Sequence, residues 1–190
     1  RFGRYHDVDG DGIPYRTLPG THPSKGAYFT RGTSRDEYAK YTEEGAPYVR
    51  NMDRLLKKWE TAKSHVPKPE IVRFEQDATE GLIYFGTTAW AAKECTDRME
   101  IEGVLLNAMR IKAFPFNHEV EDYIHAHDII YVVEQNRDAQ LKALLVNELS
   151  IDPNKLISIL NYDGFPITAD KIGNLIHQLK PSAVTDTAFK

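Results

Sequence analysis

Between Pro47 and Val66 apolar residues recur at three- and four-residue spacing, at Met52, Leu55, Leu56, Trp59, Ala62 and Val66. That spacing predicts one amphipathic helix over about 47–66, with Pro47 suited to its first turn. Pro67 and Pro69 stop it, because neither can donate the next helical hydrogen bond and each biases its predecessor away from helical angles. Before the helix, from Arg1 to about Thr33, Gly, Pro, Asp, Thr and Tyr are dense and no period holds, so turns and extended segments are expected. Residues 1–68 therefore read as a connector.

Beyond Pro69 the pattern changes to short apolar runs alternating with helical periods. Ile71–Phe74, Leu82–Phe85, Val104–Ile111, Ile129–Val133 and Leu156–Leu160 read as strands. Helices are expected at Trp90–Glu102, closed by Gly103, at Asn117–His127, at Asp138–Leu149, and from a capping Thr168 through Ile172, Leu175, Ile176 and Leu179. Runs such as Ile129–Val133 lack the apolar/polar alternation of a half-exposed sheet, as strands covered on both faces do. The predicted fold is α/β: a three-layer α/β/α sandwich with a mostly parallel five-stranded sheet over 69–183, followed by a tail, 184–190.

Composition narrows the function classes. Apolar residues are 41% and charged residues 27% of 190, the balance of a globular protein. A net charge of −4 gives no global reason to bind nucleic acid or an anionic membrane. The single cysteine, Cys95, reads as a small apolar filler and leaves too few thiolates for an iron-sulfur cluster or a cysteine-based zinc site. No apolar run approaches the roughly eighteen residues of a membrane span, and the first twenty residues lack a signal-peptide core, so a cytoplasmic location is expected. The chain starts without Met and stops soon after its last helix, and so reads as a piece of a longer protein.

Asp7, Asp9 and Asp11 stand at alternate positions among glycines, half of a calcium-loop spacing. The twelfth position of such a loop is Leu18 rather than Glu, and the plainer reading is a tight Asp/Gly turn. The histidines (His6, His22, His65, His118, His125, His127, His177) do not assemble a zinc site and read as surface or helix-end positions. Glu134–Asp138 lies where a buried strand passes into a helix, at the kind of edge where α/β sheets gather ligands and partners. The plainer reading has Asp138 capping the helix while Glu134 and Arg137 face water. Gly81–Thr88 lacks both the Gly-x-Gly-x-x-Gly spacing and the P-loop lysine, and reads as a strand end and a cap.

Several of these words together resemble α subunits of 2-oxoacid:ferredoxin oxidoreductases. They are Asp11–Thr21 (DGIPYRTLPGT), Ala27–Thr33 (AYFTRGT), Asp36-Glu37-Tyr38, Tyr48–Arg54 (YVRNMDR), Arg110-Ile111 with Ala113–Phe116 (AFPF), Tyr131–Asp138 (YVVEQNRD) and Asn161–Thr168 (NYDGFPIT). The 2-oxoglutarate branch is the first expectation, with pyruvate or branched-chain versions as alternatives. The resemblance implies oxidative decarboxylation of a 2-oxoacid on thiamine diphosphate with magnesium, transfer of the acyl group to coenzyme A, and electrons passing through an iron-sulfur cluster to ferredoxin.

It also implies that the pyrimidine-side thiamine domain precedes this chain, that the diphosphate side and the cluster belong to a β subunit, and that 69–183 is a transketolase C-terminal-like domain. This chain would then bind no cofactor alone, a calcium ion at Asp7–Asp11 apart. Its partners would be the rest of the α subunit, the β subunit and, through the whole enzyme, ferredoxin. One departure stands out: relatives often carry His in Gly-Thr-x-His-Asp-Glu, where this chain has Arg35. A guanidinium there favours carboxylate or phosphate and ends any proton-transfer role, while a surface ion pair is the plainer reading. No catalytic residue is carried over. The cofactor or interface candidates are Arg16, Thr17, Thr21, Arg31, Arg35, Asp36, Glu37, Glu134, Gln135, Asn136 and Arg137. Two other classes compete: an autonomous α/β module binding a ligand or protein through Glu134–Arg137, and a calcium-stabilised structural protein.

Overall fold

A computed structural model describes residues 1–27, 32 and 34–179, and divides the chain into two compact units, Arg1–Val66 and one beginning at Pro67. No helix among the described residues is long and apolar enough to cross a membrane. The candidate Arg31 lies outside the described residues.

In the second unit five strands, β1 (Glu70–Arg73), β2 (Glu80–Phe85), β3 (Asn107–Ile111), β4 (Ile129–Glu134) and β5 (Leu156–Leu160), form one sheet in the order β1-β3-β2-β4-β5. β2, β3, β4 and β5 are parallel, and β1 joins the β3 edge antiparallel. The apolar run of β4 is explained by two-sided burial. Tyr131 and Val133 face a core with Leu82, Tyr84, Cys95 and Met99, while Ile130 and Val132 face another with Ile83, Met109, Ile124 and Leu145. Helices α2 (Ala89–Ile101) and α5 (Ala169–Leu179) cover the first face, and α3 (His118–His125) and α4 (Gln140–Leu149) the second, which makes the expected three-layer α/β/α sandwich.

Three boundaries depart from the sequence pattern, each for a local reason. β3 starts at Asn107 rather than Val104, because Gly103 (φ 79°) turns the chain while Val104 N–H returns to Met99 C=O (2.8 Å) and Gly103 N–H to Glu100 C=O (2.9 Å). This is the double backbone closure of a glycine-ended helix, so Val104 is committed before the ladder begins. α4 starts at Gln140 rather than Asp138, since Ala139 is left-handed (φ 51°). His127 is the third case. Rather than ending a helix at the surface, it is buried, with Nδ1 2.7 Å from the Tyr123 carbonyl and Nε2 2.8 Å from Asn107 Nδ2. Donation from Nδ1–H and acceptance at Nε2 satisfy both ring nitrogens of a neutral imidazole. Asn107 also accepts from Glu75 N–H (2.5 Å) and donates to Glu75 C=O (3.1 Å), fastening the 74–79 loop to the sheet.

Cys95 is the expected apolar filler: it is 1% exposed, and burial pushes its thiol up to about 11. Thiolate is the reactive form, so the native chain should resist an aromatic disulfide reagent at pH 8 and release one thiol equivalent only on denaturation. Rapid labelling of the folded chain would contradict this packing.

The first unit is built on α1 (Gly45–Ala62), which ends four residues earlier than the periodicity suggests. Lys63, Ser64 and His65 N–H groups bond three residues back, to Glu60, Thr61 and Ala62, tightening the chain before Pro67. The Asp/Gly turn is clamped onto this helix: Arg54 Nη1 donates to Gly12 C=O (3.0 Å) and Thr61 Oγ1 to Asp11 C=O (2.6 Å). Gly12 has φ 80°, and a Cβ there would lie 2.3 Å from Lys58 N, so only glycine allows the approach. The first unit buries only the prolines Pro14 and Pro47 among its described apolar side chains, and the hydrophobic core, from Ala78 onward, belongs to the second unit. In the first, Val49 (55%), Met52 (37%) and Leu56 (69%) are exposed along one stripe of α1.

Candidate functional site

β2 and β4 are neighbours in the sheet, yet the helices that follow them, α2 and α4, lie on opposite faces. The crevice outside their carboxyl ends is the topological switch point, the place where open α/β sheets bind ligands and partners. One wall is Gly86-Thr87-Thr88, a single 3-10 turn between β2 and α2 in which Gly86 has φ 61°. The other is Gln135-Asn136-Arg137-Asp138. Gln135 spans the crevice, its Nε2 3.2 Å from both Thr87 Oγ1 and Thr88 Oγ1. Thr88 therefore does not cap α2 with its side chain, as the sequence had suggested.

The β4–α4 turn is held from beneath by Glu134. This carboxylate is fully buried, accepting from Leu141 N–H (2.6 Å), Lys142 N–H (3.0 Å) and Asn136 Nδ2 (2.8 Å). It caps α4 from the preceding strand, where the helix amides stabilise negative charge. Asn136 Oδ1 accepts from Asp138 N–H (3.1 Å) and Gln140 N–H (3.3 Å). The expectation that Asp138 caps α4 and Glu134 faces water is thus reversed. Asp138 instead pairs with Arg137 at 2.7 Å, both exposed. Glu134 and Asn136 shape the loop, leaving Gln135 and Arg137 at its outer face.

Exposed aromatic side chains crowd the same edge. Phe85 (42%) ends β2, Trp90 (83%) opens α2, Phe114 (38%) follows β3, and Tyr162 (65%) and Phe165 (76%) follow β5. The last loop is fixed by Lys171 of α5, which pairs with Asp163 (2.9 Å) and bonds Asn161 Oδ1, while Asn161 Nδ2 donates to Phe165 C=O (2.7 Å). Beside the crevice, on the α3/α4 face, an apolar hollow of about 450 Å³ is walled by Phe85, Ile111, Phe114, Phe116, Leu141 and Leu144. A second, of about 430 Å³, lies toward β1 among Tyr84, Thr87, Trp90, Lys93 and Arg110. Burial pushes the Tyr84 phenol up to about 12, so it is a neutral donor at physiological pH. Sequence reading missed this aromatic edge. Its available signal was an aromatic residue at the end of, or within three residues past, three of the apolar runs, at Phe85, Phe114 and Tyr162.

The remaining candidates belong to the first unit. Thr17 Oγ1 accepts from Arg4 Nη1 (2.8 Å), and Thr21 Oγ1 accepts from Leu18 N–H (3.3 Å) within a turn. Arg35 Nη1 donates to Gly32 C=O (3.1 Å), and the Arg35 carbonyl accepts from Asn51 of α1. Asp36 Oδ1 closes a turn on Tyr38 N–H (3.0 Å) and Lys40 N–H (2.9 Å). Glu37 pairs with Arg50, whose guanidinium holds the carboxyl below its ordinary range. Arg35 and Glu37 thus fasten the lead segment to α1, while Thr17, Thr21 and Asp36 bond within it. In the Asp7–Asp11 turn, Asp7 Oδ1 accepts from Gly10 N–H (2.8 Å) and Asp11 N–H (3.1 Å), and Asp11 Oδ1 from Ile13 N–H (2.8 Å). Lys57 Nζ stands 3.7 Å from Asp7 Oδ2. Among the described residues, no group of three or more His, Cys, Asp or Glu is placed to hold a metal ion.

No family model matches the chain. It resembles the solved structure of the 2-oxoglutarate:ferredoxin oxidoreductase from Magnetococcus marinus, which has 2-oxoglutarate, coenzyme A and succinyl-CoA bound. The identity is 23% and the TM-score 0.79, over 93% of this chain and 30% of that one. Transketolase from Campylobacter jejuni matches at 15% identity and TM-score 0.43, over 58% of this chain and 18% of that one. The chain thus spans about a third of the length of the Magnetococcus enzyme chain, and over that span it shares its fold.

Proposed function

We propose that the chain is the C-terminal part of the α subunit of a 2-oxoacid:ferredoxin oxidoreductase acting on 2-oxoglutarate, and that it serves assembly and shaping of the reaction cleft. The whole enzyme would convert the 2-oxoacid to acyl-CoA and pass electrons to ferredoxin, using thiamine diphosphate, magnesium, coenzyme A and a cluster. One buried cysteine does not suit this chain to holding a cluster, so that chemistry belongs to other parts of the enzyme. What supports the reading is that likeness to the Magnetococcus enzyme runs through both units, including a lead segment with no apolar core of its own. A unit that leaves the apolar stripe of the one long helix among its described residues exposed is suited to being covered by further protein. The aromatic edge around the switch point suits the same task in the second unit.

The test is 2-oxoglutarate- and coenzyme A-dependent dye reduction, measured on this chain alone and on the full α subunit mixed with its β partner, with pyruvate as the competing substrate. Activity is expected only in the reconstituted pair, with 2-oxoglutarate preferred. Turnover by the chain alone would overturn the accessory role. An inactive pair would overturn the enzyme assignment and favour the autonomous binding module.

A further inference from the structure

Four cations converge in the first unit with no carboxylate among them. A cavity of about 280 Å³ is walled by Arg4, Arg16, Arg54 and Lys58, together with Tyr5, Pro14 and Leu55. Two come from the irregular lead and two from α1, four residues apart and so on the same helical edge. That edge also carries Arg50 and Lys57, but these are answered: Arg50 by Glu37, Lys57 by Asp7. Arg16 and Lys58 make no hydrogen bond or ion pair through their side chains among the described residues, and Arg54 makes no ion pair. Arg54 is anchored by Nη1 on the Gly12 carbonyl, while its Nε is buried without a hydrogen-bond partner. A buried, unanswered guanidinium N–H is costly, and Arg54 is held at the cavity wall in spite of it.

We propose that this cavity is a binding site for a phosphate-bearing anion, a phosphate ester or diphosphate, held by Arg16, Arg54 and Lys58 with Arg4 at its rim. Arg4 is already engaged with Thr17 through Nη1, so it sets the wall of the site more than it binds. A single carboxylate could answer one guanidinium fork. Answering several cations from different directions takes a group of higher charge with oxygens pointing several ways, as a phosphate or diphosphate has. Burial and the nearby Arg16 charge pull Arg54 below its ordinary pKa, against the opposite pull of Asp7, which is the electrostatic load a bound anion would lift. The clamp of Gly12 against the Lys58 backbone keeps the lead and the helix in register, so the cations are positioned before any ligand arrives. The site stands on this unit alone and does not depend on the enzyme assignment.

Inorganic pyrophosphate is the probe, titrated calorimetrically into the full chain, with 2-oxoglutarate as a dicarboxylate comparison. The expected result is one saturable pyrophosphate site that weakens as salt rises, with 2-oxoglutarate binding at least about tenfold less tightly. In the Arg16→Gln/Lys58→Gln double variant, whose side chains support no other described contact, pyrophosphate affinity should fall about a hundredfold while the circular dichroism spectrum and melting curve stay unchanged. Unaltered affinity in the folded variant, or no saturable binding to the parent chain, would overturn the site. Equal affinity for 2-oxoglutarate would overturn the assignment to phosphate.

Discussion

Replacing Glu134 with leucine should lower the unfolding free energy of the second unit by about 3–5 kcal/mol, although the two side chains are similar in size. The carboxylate is 0% exposed and is the acceptor for two backbone amides of α4 and for the Asn136 side chain. Leucine would leave the Leu141 and Lys142 N–H groups facing a low-dielectric interior, at about 1–3 kcal/mol for each lost partner. It would also remove the negative charge that complements the helix N-terminus. Glutamine keeps one acceptor oxygen but cannot serve both amides without turning its NH2 toward one of them, so Glu134→Gln should cost about half as much. Denaturant titration of the three proteins, monitored by far-ultraviolet circular dichroism, gives the comparison. A leucine variant within about 1 kcal/mol of the parent would show that the amides find other acceptors and that Glu134 is not what holds the switch-point loop.

The same residue shows how far the sequence could be read. β4 was legible because both faces of it are buried, so every position from Ile130 to Val133 had to be apolar. The end of α2 was legible because Gly103 marks a closure written entirely in local backbone geometry. The start of α4 was not, because its cap is seven and eight residues upstream, inside the preceding strand, while the residue next to the helix that looked like a cap is paired with its neighbour. His127 misled in a similar way. Its role is fixed by Asn107, twenty residues away, and no local pattern distinguishes a buried, fully bonded imidazole from a helix-end one. The basic cavity was legible only as Arg16, because Arg4 and Arg54 are fifty positions apart and meet only once the Asp/Gly turn is clamped on α1.

The exposed stripe of α1 carries the second large effect, and it separates assembly from folding. Val49, Met52 and Leu56 follow helical spacing, and the outer two are 55% and 69% exposed. Glutamate at Val49 and Leu56 therefore should change the chain's own stability by no more than about 0.5 kcal/mol, as surface substitutions usually do. In the proposed enzyme the consequence is different. Covering a large aliphatic side chain contributes about 1.5–3 kcal/mol, and an unpaired carboxylate in its place costs more to desolvate. The double variant Val49→Glu/Leu56→Glu should thus weaken association of the α and β subunits by about a hundredfold or more. Dye reduction at fixed low subunit concentration should fall accordingly, and a large excess of partner should restore part of it, which a damaged catalytic centre would not permit. Wild-type activity and wild-type subunit affinity in the variant would mean that the β subunit does not cover this stripe, and its part in joining the two subunits would then have to rest on the aromatic edge of the second unit.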